Sequence, residues 1–340
     1  MVCEPNERLT TSSRRASAAN GEPERGHATG SRYRDVMGGI ATSDPVRRES
    51  VASRRIPVGD GWASYVDVGT GRTVVFLHGW GAGHHAYLRS VRRLASTGVR
   101  VLAPALPGFS GTTPLPAERA SLRGYADWVV AFLDALEIEE SVVVVGHSFG
   151  GGVAITAAHE HPARIGGLVL VNSIGGGAWT GEGELIRPMA ERPLWDWGLH
   201  LARDFRTPAQ LSRVLPVVIG AVVPNLVAEP RAFIRSARLA RDADLTGELD
   251  VLRRRGLPVV VVWGRRDGVV TDASFRALCS ALGNPDPITV AGGHNWLLVD
   301  PDRFGEVMTN VVEVARRARW LEPVGPLRRT WRRVARHRRR

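Results

Sequence analysis

Residues 141–155 read SVVVVGHSFGGGVAI and hold a hydroxyl in the pattern G-x-S-x-G, with Ser148 at its centre. The four valines suit a strand buried on both faces of a parallel sheet, and the glycines after Phe149 lead into a helix. A serine on such a strand-to-helix turn is held in a strained backbone conformation, its Oγ presented above the sheet. A Cβ at Gly146 or Gly150 would collide with the neighbouring strand or helix, which accounts for the glycines. The helix that follows aims its N-terminal dipole and free N–H groups where charge collects during acyl transfer. The alternative is a Gly-rich turn with an incidental serine. Strand character on one side and helix character on the other favour the nucleophile.

Eight segments carry strand signals: Arg54–Val58, Trp62–Val68, Thr73–Leu77, Val99–Ala103, the valine run, Leu168–Val171, Pro258–Trp263 and Pro287–Val290. Helical patterns lie between them, as in Leu122–Leu136 and Gly151–His161. This alternation predicts an α/β chain with a mostly parallel eight-stranded sheet flanked by helices. Between Asn172 and Leu257 no good strand is found, only helical stretches broken by prolines, too long an interval for a plain connection. It is read as an inserted helical lid, residues 176–250, between two parts of the core, 51–175 and 251–316. Its apolar side chains, among them Trp179, Trp195, Trp197 and Phe233, would pack on the core or line a pocket.

Four motifs stand in order along this body: His78-Gly79-Trp80-Gly81 after a strand, the Gly146–Gly150 elbow, Trp263-Gly264-Arg265-Arg266-Asp267 just past a strand, and Gly292-Gly293-His294-Asn295-Trp296. From about Ile56 to Arg316 the chain thereby resembles the α/β-hydrolase superfamily. The resemblance implies a Ser148–His294–Asp267 triad: the imidazole takes the hydroxyl proton, and the carboxylate holds its tautomer. It implies two oxyanion donors, the backbone N–H groups of Phe149 and Trp80. His78 is expected to shape its loop by hydrogen bonding, and His147 to be packing. Asp267 could instead pair with Arg265 or Arg266 on the surface. His84 and His85 read as a solvated helix start, with substrate contact the alternative. The chain departs from its relatives at Ala105, where an aspartate often stands, and at Ser110, where a glycine is common; both bear on the geometry of that loop. Serine as nucleophile disfavours the aspartate mechanisms of epoxide hydrolases and haloalkane dehalogenases, and the lid interval holds no tyrosine for ring opening.

Of 340 residues, 44% are hydrophobic and 23% charged, ordinary for a globular protein. All basic residues are arginine, and the net charge of +11 sits mainly at the ends. Residues 1–50 are expected to be a disordered leader, with Met37 an alternative start to Met1. Residues 317–340 form a basic tail in which Leu327, Trp331 and Val334 could lie on an anionic membrane; nucleic acid is the less favoured polyanion. Cys3 and Cys279 form no disulfide framework or metal motif, which fits a reducing, cytoplasmic compartment; the tail either places the protein at the inner face of the membrane or is a disordered arginine-biased end. No cofactor and no metal are expected.

The reaction expected is acyl-enzyme hydrolysis of a carboxylic ester of a small or medium hydrophobic substrate. A C–C bond hydrolase of the aromatic-degradation type shares the same plan, and Trp296, Arg187 and Arg192 leave it open. Perhydrolase or haloperoxidase-like activity and thioester or amide cleavage also stand. A rival of another kind is a non-catalytic ligand-binding protein on the same fold.

Overall fold

All eight strand segments become strands of one sheet. The structure, a computed structural model, describes residues 52–180, 186–193, 215–216 and 218–317. The leader, the tail beyond Arg317 and Trp195, Trp197 and Phe205 of the lid interval lie outside the described residues.

The chain opens with β1 (Arg54–Val58), β2 (Gly61–Val68) and β3 (Arg72–Leu77), followed by α1 (Leu88–Ala95) and β4 (Val99–Pro104). Then come α2 (Leu122–Ala135), β5 (Val142–His147), α3 (Phe149–Glu160) and β6 (Ile165–Val171). The sheet is ordered β1-β2-β4-β3-β5-β6, extended by β9 (Val259–Gly264) and β10 (Ile288–Val290). Within this sheet the pairs β1–β2 and β2–β4 are antiparallel and the others parallel. The order reverses between β3 and β5, and at such a switch point the carboxyl ends of the strands leave a crevice.

Alternation along the strands assigns the two cores. Val142 and Val144 face α2 and α3 with Val75, Leu77, Phe132 and Val153. Val143 and Val145 face the other layer with Phe76, Leu94 of α1, and Phe304 and Met308 of α9 (Pro301–Arg317). Being buried on both sides is why this strand tolerates no polar residue before the glycine. Two helices start on side-chain caps: Ser121 accepts from Gly124 N–H on α2, and Thr271 from Ser274 N–H on α7 (Asp272–Ala281).

The interval after β6 corrects one expectation. It contains two short strands, β7 (Ala178–Thr180) and β8 (Ile186–Pro188), paired antiparallel. Each has three residues, β8 is exposed throughout and ends on a proline, so neither develops the alternation that marks a strand. The rest of the described interval is helical: a π-turn at Val218–Val222, α4 (Val223–Ala228), α5 (Pro230–Asp242) and α6 (Thr246–Arg254). A one-turn helix, α8 (Trp296–Val299), precedes α9.

Candidate active site

The turn from β5 into α3 puts Ser148 at φ 52 and ψ −116, a left-handed conformation costly for a side-chain-bearing residue. Surrounding contacts hold it there. Ser148 N–H donates to Val171 O at 3.1 Å, and its carbonyl accepts from Gly151 and Gly152. A Cβ on Gly146 would lie 2.6 Å from Gly150 O and Gly151 Cα, and one on Gly150 would lie 2.3 Å from Leu77 O. Both glycines are therefore fixed by close backbone approach, of the helix to its own strand and of the helix to β3.

His294, four residues past β10, brings Nε2 to 2.9 Å from Ser148 Oγ and Nδ1 to 2.8 Å from Asp267 Oδ2. The carboxylate can only accept, so Nδ1 carries the proton and Nε2 is left to accept from the serine hydroxyl. Asp267 makes no surface pair with Arg265 or Arg266; its side chain is fully buried. Its Oδ1 accepts from Val269 N and Val270 N at 2.8 and 3.0 Å, and its Oδ2 accepts a 2.6 Å bond from Asn172 Nδ2 as well as that from His294. Four N–H donors thus occupy the four lone-pair directions of the carboxylate. Asn172 is oriented in turn, because its Oδ1 accepts from Trp296 Nε1 at 2.9 Å and Gly264 N at 3.3 Å. Trp296 therefore braces the acid instead of standing free beside the histidine.

The two oxyanion candidates flank the serine from adjacent strands. Phe149 is the first residue of α3, so its N–H has no carbonyl one turn earlier. Trp80 lies three residues beyond β3, its indole N–H donating to Phe233 O at 2.9 Å. His78 shapes this loop: Nδ1 donates to Gly79 O at 2.8 Å, Nε2 accepts from Leu106 N at 2.8 Å, and burial pulls its pKa down to about 4. His147 does more than pack. Its Nε2 donates to His294 O at 3.0 Å, its Nδ1 accepts from the Tyr87 hydroxyl at 2.9 Å, and that hydroxyl accepts from Gly79 N at 3.2 Å. Burial holds the His147 pKa well below its usual range. His84 is a correction: it is fully buried against Ser53, its pKa lowered to about 3 by that burial, and only His85 is exposed. A small residue precedes it and Tyr87, Val91 and Leu94 follow, so the turn is drawn into the core.

Three more side chains support the site: Asn172 and Asn225, which sequence reasoning missed, and Arg192, which it read as a lid arginine facing substrate. Asn172 directly follows β6 at the carboxyl edge, where site residues gather, and that position was its only signal. Arg192, buried, donates to Val269 O at 2.6 Å and Gly268 O at 2.9 Å, clamping the loop that carries Asp267. Asn225 lies buried in the otherwise apolar stretch VVPNLVA. A cleft of about 340 Å³ beside Asn225, lined by Gly108, Ser110 and Thr112, includes none of Ser148, His294 or Asp267. Among the described residues no three His, Cys, Asp or Glu side chains gather as a metal site, and no helix is long and apolar enough to cross a membrane.

A hydroxyl, an imidazole and a carboxylate in one hydrogen-bonded line, at the carboxyl edge of a sheet covered by helices on both faces, define an α/β-type hydrolase. The chain belongs to the alpha/beta hydrolase family, which it matches over residues 74–307. It is 37% identical over 240 residues to a 2-hydroxy-6-oxononadienedioate/2-hydroxy-6-oxononatrienedioate hydrolase of Paraburkholderia xenovorans, covering 64% of this chain and 78% of the relative. It is 29% identical over 264 residues to a pimeloyl-[acyl-carrier protein] methyl ester esterase of Aromatoleum aromaticum, covering 70% and 97%. In fold it is similar to an esterase from Exiguobacterium antarcticum, with a TM-score of 0.61 and 18% identity over 77% of this chain and 100% of that one.

Proposed function

We propose that this hydrolase cleaves a carboxylic ester of a small or medium hydrophobic substrate through an acyl-enzyme on Ser148. The observation that carries the reading is the 2.9 Å and 2.8 Å pair of bonds from His294 to Ser148 and Asp267. Ser148 Oγ adds to the ester carbonyl as its proton passes to His294 Nε2, and Asp267 stabilises the imidazolium. The tetrahedral oxyanion is met by the N–H groups of Trp80 and Phe149. The C–O bond then breaks, and the imidazolium protonates the departing alcohol. A water, deprotonated by the same imidazole, attacks the acyl carbon and releases the acid and free Ser148. The segment 176–250 acts as a lid over this cleft, between core parts 51–175 and 251–316.

The test is hydrolysis of p-nitrophenyl esters of increasing chain length by wild type and Ser148→Ala. Equal rates in the two would sink the enzyme reading and favour a binding protein on this fold.

The 37% identity to a 2-hydroxy-6-oxononadienedioate/2-hydroxy-6-oxononatrienedioate hydrolase favours a second reading, in which a C–C bond of a vinylogous diketone is cleaved at the same triad. That relative's named substrate is a dioate, whereas Arg192 here donates to the backbone carbonyls of Gly268 and Val269, which is why the ester reading leads. Turnover of a vinylogous diketone without turnover of esters reverses the order. The basic tail is proposed to hold the protein on an anionic membrane surface from the cytoplasmic side. Equal co-sedimentation with anionic liposomes by full-length protein and by a chain ending near Arg316 removes that idea.

A further inference from the structure

We infer that Asn225, on α4 of the inserted segment, is a positioning residue for the oxyanion hole. The inference rests on the reading above. Its side chain joins two loops that the sequence keeps far apart. Nδ2 donates to Gly81 O at 3.0 Å, in the loop that presents the Trp80 N–H, and Oδ1 accepts from Ser110 N at 2.8 Å, in the loop after β4. The amide has one orientation that works. Turning it over would put an acceptor against a carbonyl and a donor against an N–H, losing both bonds.

Both partners occupy the left-handed region, Gly81 at φ 81 and Ser110 at φ 45. For Gly81 this is free, but a serine in that region is strained. A donated bond from its N–H to a buried amide is what holds that conformation. The clamp has a second jaw on the next helix, where Trp80 Nε1 donates to Phe233 O and the two rings lie 4.4 Å apart. The inserted segment therefore holds this loop at two neighbouring points, the Trp80 indole and the Gly81 carbonyl. Asn225 is buried, so water does not replace its two bonds at no cost when it is removed. Asn225 touches none of Ser148, His294 and Asp267 in the bonds described, so it acts through the loop and not on the proton relay.

Full-length wild type, Asn225→Ala and Asn225→Asp are compared for p-nitrophenyl butyrate kinetics, affinity for an aliphatic trifluoromethyl ketone, and thermal midpoint. The ketone forms a hemiketal on the serine, and its oxyanion reports the hole whether the natural bond is an ester or a C–C bond. Asn225→Ala is expected to lower kcat about tenfold and weaken the ketone by a similar factor, with KM within about twofold of wild type. Asn225→Asp keeps the acceptor for Ser110 N–H and lacks the donor for Gly81 O, so it is expected to follow the alanine variant, and it carries the test if that variant does not fold. A lowered midpoint with kcat and ketone affinity within about twofold of wild type overturns the inference, as does a rise in KM alone. Those outcomes leave Ser148-dependent turnover by wild type intact. A wild type that takes neither ester nor ketone removes the functional reading and the inference together.

Discussion

Asn172 and Asp267 are 95 positions apart in the chain and 2.6 Å apart between Nδ2 and Oδ2. The oxygen that receives this amide is the one that receives His294, so the acid is aimed at the imidazole by a group outside the triad. The amide is fixed by Trp296 and Gly264, which only donate to it, and so it cannot turn away.

Replacing Asn172 by leucine removes one charge-assisted bond and leaves Asp267 Oδ2 held by His294 alone. A bond of that kind contributes about 1.5–3 kcal/mol, so kcat/KM on a p-nitrophenyl ester is expected to fall roughly 10- to 100-fold. Asn172→Asp places a second carboxylate against the first and is expected to do at least as much damage at neutral pH. Wild-type kcat/KM in the leucine variant would show that the amide aims nothing.

Ser148 at φ 52, ψ −116 makes a stability prediction separate from catalysis. Alanine in its place removes the hydroxyl but keeps the strained Cβ, whereas glycine removes both. Ser148→Gly is therefore expected to be more stable than Ser148→Ala by about 1 kcal/mol, read by urea denaturation, although both are inactive. An alanine variant as stable as the glycine one contradicts the strain.

Gly150 has no room for a methyl group, since a Cβ would meet Leu77 O at 2.3 Å and His78 O at 2.7 Å. Both obstacles are backbone, so relief requires moving α3 from β3. Gly150→Ala is expected to cost about 3 kcal/mol or more and to lower the thermal midpoint by roughly 6–12 °C, or to prevent folding. A midpoint within a degree of wild type would mean that the two elements separate freely.

The buried imidazoles set an acid limit. His78 and His84 stay neutral in the folded protein until about pH 4 and about pH 3, whereas in the unfolded chain they protonate below about 6.5. Between those limits the unfolded state binds more protons, so stability is full above pH 6.5 and is lost as the pH falls toward 4 and then 3. Each group contributes a slope of about 1.4 kcal/mol per pH unit in that window. His84→Gln is expected to lessen the loss of unfolding free energy between pH 6 and pH 4 by about 1.4 kcal/mol per pH unit, read by urea denaturation at each pH. An unaltered slope would remove His84 from the account.

Most of the sheet was legible because its strands are long β-branched runs bounded by turn residues, Val142–Val145 above all. Ser148, His294 and Asp267 were legible through local punctuation: a glycine-bracketed serine, a histidine after two glycines, an acid just past a strand. Asn172, Arg192 and Asn225 carry no such punctuation. Their contacts cross 95, 76 and 144 positions, and side-chain convergence over such separations leaves no periodicity to read. The ribbon of β7 and β8 was too short to alternate, and His84 was misread because a polar residue near a helix start is ordinarily solvated.

The relay from Gly79 through Tyr87 and His147 to the carbonyl of His294 is built from buried side chains. It ties the loop that carries Trp80 to the backbone of His294, so the two are positioned together. The inserted helices hold the next two residues of that loop through Asn225 and Phe233, so reshaping them at any other position leaves both sets of bonds standing.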